Sequence, residues 1–338
     1  MQYLILPNEN LNSFFESLKE HGRIFGPVRS GVKSHAFREV DSLNEIDLEY
    51  QRTMIPPKKF FLKPTETIFE FDEVSKEYAE VLDDDGNFVV LGLHGCDINA
   101  IKLLDRVYID ELQDKYYVKR REKSILIGVA CEPDEYCFCE SMGTFHPVDT
   151  FDLFINGLAK AAFVRVGSEK GSDFVIRNKK LFRDANDEDI REFKKLQKSR
   201  LGRFKLKLNT SGLTDMVELV PDDCEIWKDE ADRCFGCGTC NLVCPTCRCY
   251  DVIDQVNLDI KTGERVRKWS SCMLRKHALV AGGLNFRPTR VERLRNRFNC
   301  KSSLRENMVN CVGCGRCTVY CQAAIDYVEV LKKARGEL

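Results

Sequence analysis

The chain has 338 residues, which is enough for two domains with buried cores. Its 52 Lys and Arg residues nearly balance its 53 Asp and Glu residues, so no overall charge attracts nucleic acid or an anionic membrane. It contains 17 cysteines, with no secretory signal before them and no apolar run of membrane-spanning length. We therefore expect a cytoplasmic protein whose cysteines bind metal rather than form disulfides.

The first 210 residues alternate between predicted strands and helices. The apolar segment 88–93 predicts a buried strand, Asp97 a cap for a helix over 98–107, and segment 124–130 a second strand. A strand, a helix and a strand in this order predict an α/β domain with a parallel sheet. A charged helix is predicted over 184–204. We place the domain boundary just after it, which gives an α/β domain over residues 1–210 and a second domain over 211–338.

Cysteines follow both of these strands. Cys96 comes after the first strand, Cys131 ends the second, and Cys137 and Cys139 lie just beyond it. Because parallel strands end at one edge of a sheet, where such folds bind ligands, we expect the four thiols to converge. They predict a [4Fe–4S] cluster in the first domain. Zinc on the same four ligands, or cysteines that only fill core space, are the alternatives.

The second domain contains two copies of the pattern C-x-x-C-x-x-C-x-x-x-C. In two-cluster iron–sulfur proteins with this spacing, the fourth cysteine of each motif binds the cluster of the other. The ligands predicted for two [4Fe–4S] clusters are therefore Cys234, Cys237, Cys240 and Cys321 for the first, and Cys311, Cys314, Cys317 and Cys244 for the second. Structural zinc is the alternative, but it closes at four ligands and does not need the third, evenly spaced cysteine.

The long segment between the motifs bears on the fold of this domain. Residues 245–310 separate them, which favours an all-α domain of the helical-ferredoxin type over a compact β-rich ferredoxin. A basic helix is predicted over 289–298. Its arginines could bind nucleic acid, but the balanced charge of the chain argues against this. We expect them to form salt bridges, to face a partner, or to offset the negative charge of the clusters.

The other cysteines receive weaker predictions. Cys247 and Cys249 adjoin a cluster ligand, and we favour a supporting structural role over alternative ligation or a redox dithiol. Cys272 is a weak candidate for a further ligand, and Cys224 and Cys300 are interpreted as small packing residues. The chain has no dinucleotide-binding or P-loop motif and no pattern of a catalytic triad, so we predict transfer of single electrons and no catalytic residues.

Six segments, spread over nearly the whole length, resemble the β chain of archaeal sulfhydrogenase, a soluble NADP-linked [NiFe] hydrogenase. They are RTMIPPKKFF (52–61), HGCDI (94–98), PDEYCFC (133–139), CPTCRCY (244–250), LVAGGLNFRPT (279–289) and CVGCGRC (311–317). The A subunit of anaerobic sulfite reductase is similar to that family and shares much of this pattern.

The resemblance implies a heterotetramer. Large and small hydrogenase subunits would hold the Ni-Fe site and more clusters, and a flavoprotein subunit would bind FAD and NADP(H). This chain would be the non-catalytic subunit that carries electrons between them, in a complex that also reduces sulfur or polysulfide. The alternatives are electron transfer to a sulfite reductase, direct sulfur reduction at Cys247, Cys249 or an open cluster, and a scaffold with structural metal only.

Overall fold

The computed structural model describes residues 2–32, 34–82, 85–221, 223–305 and 308–338. The strands are β1 (Gln2–Pro7), β2 (Arg23–Arg29), β3 (His35–Glu39), β4 (Thr65–Asp72), β5 (Glu77–Glu80), β6 (Phe88–Leu93), β7 (Ser124–Val129), β8 (Leu153–Gly157), β9 (Ala161–Val166), β10 (Arg183–Asp184), β11 (Tyr250–Val256), β12 (Thr262–Trp269), β13 (Leu304–Arg305) and β14 (Met308–Val309). The helices are α1 (Leu11–Leu18), α2 (Gly95–Asp105), α3 (Lys115–Glu122), α4 (Glu169–Arg177), α5 (Asp187–Leu201), α6 (Leu213–Leu219), α7 (Glu225–Arg233), α8 (Thr239–Leu242), α9 (Arg290–Ser302), α10 (Arg316–Val319) and α11 (Tyr327–Ala334). Within these ranges, no helix is long and apolar enough to cross a membrane.

The first part of the chain is α/β, as predicted, but its eight-stranded sheet is mixed rather than wholly parallel. Its order is β10-β1-β9-β8-β7-β6-β2-β3, and the four central strands β8, β7, β6 and β2 are parallel. Every residue of β6 and β7 is buried, as expected for apolar strands with helices on both faces. Alternate β6 residues pack toward α1 and α4 on one face and toward α2 on the other. The sheet therefore holds the carboxyl ends of β6 and β7 side by side.

A second sheet, of order β11-β12-β4-β5, joins distant parts of the chain. Its antiparallel hairpin β11–β12 pairs with β4, so residues from both sides of the predicted boundary at 210 share one sheet. The expectation of an all-α second domain was wrong for this hairpin and for the short pair β13–β14. All seven residues of β11 are exposed, so this strand has no buried face. Its sequence, YDVIDQV, accordingly lacks the regular alternation of apolar and polar residues that identifies a half-buried strand. The boundary itself stays a prediction.

The helices of the C-terminal part surround an aromatic core. Trp227 of α7, Phe298 of α9 and Tyr327 of α11 are buried, and the rings of Phe298 and Tyr327 stack with centroids 4.8 Å apart. Cysteines of both motifs pack against this core. The helices thus provide a rigid support for the two cysteine loops.

Candidate metal centres

The two cysteine motifs form loops with the same backbone conformation. Gly236 and Gly238 in the first loop have φ of 66° and 82°, and Gly313 and Gly315 in the second have φ of 63° and 71°. Glycine adopts this left-handed region without the steric cost that a side chain would add. The backbone N–H of Gly236 lies 3.4 Å from the Cys234 sulfur, in position to donate to it. Each loop therefore turns tightly around its cysteines and leads into a short helix, α8 or α10.

The cysteines predicted for the first cluster surround one pocket. Three belong to the first motif and one to the second, and all four line the pocket: Cys234, Cys237, Cys240 and Cys321. Cys317, which is predicted for the second cluster, also lines it, so the two predicted sets adjoin here. Burial and the neighbouring thiols raise the pKa of Cys234, and burial raises the pKa of Cys240 to about 11. A buried thiolate needs a compensating positive charge, which iron would supply. The geometry fits the predicted exchange of a ligand between motifs.

The cysteines predicted for the second cluster are also neighbours. Burial raises the pKa of Cys311, of Cys314 and, to about 12, of Cys317. Cys244 of the first motif adds to the increase in all three, so its thiol lies within electrostatic range of each. Across the described ranges, no three His, Cys, Asp or Glu side chains are arranged to hold a single metal ion. The assignment of individual ligands stays a prediction.

The four cysteines of the first domain converge at the edge of the large sheet. Cys96 follows β6, Cys131 follows the parallel neighbour β7, and the loop after β7 carries Cys137 and Cys139. The Cys137 thiol, burial, and the thiols of Cys96 and Cys131 raise the pKa of Cys139. One detail of the prediction was wrong, because α2 begins at Gly95 and Asp97 lies within its first turn rather than capping it. We call these four residues the sheet-edge quartet.

The sheet-edge quartet lies directly against the second motif. The backbone N–H of Phe138 donates to the carbonyl oxygen of Gly313 at 2.8 Å. The Thr144 hydroxyl donates to the carbonyl oxygen of Val312 at 2.7 Å. A Cβ atom added to Gly313 would lie only 2.6 Å from the backbone nitrogen of Cys139. The second loop is thus in direct backbone contact with the segment that carries Cys137 and Cys139.

A buried ion pair joins the same two regions. Arg316, at the start of α10, is 1% exposed and donates to the Asp97 carboxylate at 2.8 and 3.2 Å. It also donates to the carbonyl oxygen of Thr53 at 2.9 Å. This pair was not predicted, because nothing in the sequence relates two residues 219 positions apart.

Three further buried cations surround the end of the first motif. Lys58 donates to the carbonyl oxygen of Cys247 at 2.9 Å, and Lys301 donates to the Thr246 hydroxyl at the same distance. Arg297 donates to the Asn241 side-chain oxygen at 2.6 Å. Of the roles considered for the basic helix, this position favours compensation of cluster charge for Arg297. Its spacing of four residues from Lys301, which puts both on one helix face, is the sequence signal that could have revealed them.

Comparisons with known proteins agree with this geometry. Residues 233–325, which contain both motifs, match the family model of the 4Fe-4S dicluster domain. The chain is 45% identical over 341 aligned residues to sulfhydrogenase 2 subunit beta of Pyrococcus furiosus, and the alignment covers 100% of each chain. No solved structure matches the chain.

Proposed function

Because the chain belongs to the sulfhydrogenase beta-subunit family, we propose that it is the iron–sulfur electron-transfer subunit of a sulfhydrogenase. In this role it carries single electrons between a subunit that binds FAD and NADP(H) and a [NiFe] hydrogenase pair, and it has no catalytic residues of its own. The proposed iron ligands are the two motif sets and the sheet-edge quartet. The contact between these three sets is the observation that carries the proposal.

The proposed path has three steps. Cys240 of the first set lies within electrostatic range of Cys317 of the second, so the first two clusters would be neighbours. The second set adjoins the sheet-edge quartet through the contact between Gly313 and Phe138. This order favours a linear relay from the first cluster through the second to the quartet.

Both ends of the series reach the surface. Cys237 of the first set is exposed, and the adjacent Phe235 is 69% exposed. At the other end, Cys137 is half-buried beside the exposed ring of Tyr136. Exposed aromatic side chains beside a redox centre suit contact with a partner protein. We therefore propose that electrons are exchanged with partner subunits at these two ends.

Anoxic purification of the native complex tests this function. We expect nickel and FAD to co-elute with the chain, hydrogen to bleach its visible iron–sulfur absorption, and NADP⁺ to restore that absorption. Sirohaem without nickel would instead assign the chain to a sulfite reductase. Zinc in the chain, with no absorption that hydrogen can bleach, would contradict an electron-transfer role altogether.

A further inference from the structure

A cavity separate from the three cysteine sets has an unusual lining. Its volume is about 180 Å³, whereas one water molecule needs roughly 10–15 Å³ on a comparable scale. The cavity is therefore too large to be a minor packing defect. Four of the residues that line it are cysteines that our sequence analysis left without a firm role: Cys247, Cys249, Cys272 and Cys300.

These four cysteines come from three separate segments of the chain and line one cavity. Cys247 and Cys249 lie between α8 and β11, Cys272 follows β12, and Cys300 lies in α9. The thiol and the backbone N–H of Cys272 lie close enough to the Cys249 sulfur to lower the pKa of that thiol. The Cys300 thiol is within electrostatic range of Cys249. Asn241 donates to the Cys272 sulfur at 3.0 Å, which fixes one member of the group.

The charges around the cavity favour an anionic occupant. Arg248, Arg297 and Lys301 line it, and none of the described lining residues is Asp or Glu. Arg297 and Lys301 are 4% and 2% exposed, and burying two cations together is costly unless negative charge lies nearby. Four thiolates around an iron–sulfur cube carry net negative charge and would provide it.

The same arrangement of cysteines occurs in the sheet-edge quartet. There, a C-x-C pair from one loop is completed by two single cysteines from neighbouring elements, and the cavity repeats this with Cys247-x-Cys249. Counting the cavity, four sets of four account for 16 of the 17 cysteines and leave only Cys224. We propose that Cys247, Cys249, Cys272 and Cys300 bind a further [4Fe–4S] cluster.

The position of this site would extend the proposed relay. Cys272 lies within electrostatic range of Cys240 of the first set, and the Cys247 thiol lies close enough to Cys244 of the second set to change its pKa. A cluster here would accept one electron from either neighbour and pass one electron on. This role rests on the proposed function, but metal binding at the site does not.

Metal analysis of the full-length chain, purified without oxygen, tests the site. We expect the wild-type chain to contain about 16 iron atoms and about 16 acid-labile sulfides, at four of each per cube. The double variant Cys272→Ser/Cys300→Ser should lose about four of each. The control variant Cys224→Ser should lose none, because that cysteine belongs to no set. The proposal would be overturned if the folded double variant kept all of its iron. It would also be overturned if the variant lost zinc instead of iron.

Labelling of the wild-type chain keeps the test decisive if the double variant does not fold. Alkylation under native conditions should modify Cys224 and spare Cys249 and Cys300, which should react only after a chelator has removed the iron. Reaction of Cys249 and Cys300 at the rate of Cys224 in the iron-loaded chain, or a disulfide between Cys249 and Cys272, would contradict a cluster there. Neither readout depends on hydrogen or NADP(H), so failure of the site and failure of the electron-transfer function are distinguishable.

Discussion

The two motif loops and the sheet-edge quartet gather thiols in different ways. Each loop places three cysteines within seven residues and turns at two glycines with positive φ. The quartet collects its cysteines from the ends of two parallel strands and from the loop that follows them. The loops therefore depend on local backbone conformation, whereas the quartet depends on the register of the large sheet. The difference teaches that cysteine spacing alone indicates the ligands of the loops, whereas the quartet can be predicted only from the order of strands and cysteines.

The largest effect should come from the ion pair that joins the two regions. Arg316→Met leaves the buried Asp97 carboxylate without its partner, and breaking a buried pair in this way costs about 3–5 kcal/mol. Guanidinium unfolding of the anoxic chain, followed by circular dichroism, should show the loss as a lower midpoint. Arg265→Met, which breaks a pair with Asp254 whose side chains are 42% and 44% exposed, should cost about 0–1 kcal/mol.

A double variant sharpens this prediction. Arg316→Met/Asp97→Leu removes both charges, so no uncompensated charge stays buried. The double variant should unfold at a higher guanidinium concentration than Arg316→Met alone. If it is no better, the loss comes from something other than the unpaired carboxylate, and the ion pair is not what joins the two regions.

The next largest effect should come from the close backbone contact at Gly313. In Gly313→Ala, the new Cβ atom would lie 2.6 Å from the Cys139 nitrogen, and the residue would also keep its φ of 63°. We expect a loss of about 2–4 kcal/mol in the free energy of unfolding. The matched control is Gly282→Ala, where φ is 88° and nothing lies within 4 Å of the added atom. It should cost only about 1–2 kcal/mol. Equal losses would mean that the two regions can separate without strain.

The sequence predicted most of what local patterns determine. It predicted the dicluster domain and the buried strands β6 and β7, because cysteine spacing and apolar runs are local signals. The ligand sets of the two motifs and of the sheet-edge quartet stay predictions. The hairpin β11–β12 escaped prediction because β11 has no buried face. Its pairing with β4 depends on residues about 200 positions away, for which a single sequence holds no signal.

The cavity cysteines show the same limit. Cys272 and Cys300 stand alone in the sequence, so each was interpreted as a weak candidate or a packing residue. Only the fold brings β12 and α9 to the loop that carries Cys247 and Cys249. The sheet-edge quartet could be predicted because two successive strands each ended near a cysteine. The cavity offers no comparable repeat of strand and cysteine.

A smaller effect, on reduction potential, should come from Lys301, because the clusters differ in their electrostatic surroundings. Lys301 is 2% exposed and close to the first motif's Cys244 and to Cys247, whereas the quartet lies beside the paired charges of Asp97 and Arg316. A buried cation stabilises the electron added on reduction. Lys301→Met should therefore lower the reduction potential of the second cluster, for which Cys244 is a predicted ligand. The shift should be on the order of tens of millivolts.

Redox titration monitored by electron paramagnetic resonance measures this shift. The cluster of the sheet-edge quartet is the internal reference and should keep its potential. The exposed Lys268 of β12 gives a matched control variant, Lys268→Met, which should change the reduction potential of neither cluster. A uniform shift of all potentials in Lys301→Met would show that the two regions do not differ in their electrostatic surroundings.

The smallest effect should distinguish the two surface ends of the series. Phe235→Ser removes an exposed ring next to Cys237, and loss of an aromatic contact costs about 1 kcal/mol at many interfaces. The concentration of partner subunit that gives half-maximal electron transfer should therefore rise roughly fivefold in a titration with that subunit. Leu258→Ser, at the fully exposed turn after β11, should leave it unchanged. If Tyr136→Ser raises this concentration instead, that partner binds at the sheet edge and not at the end that carries Phe235.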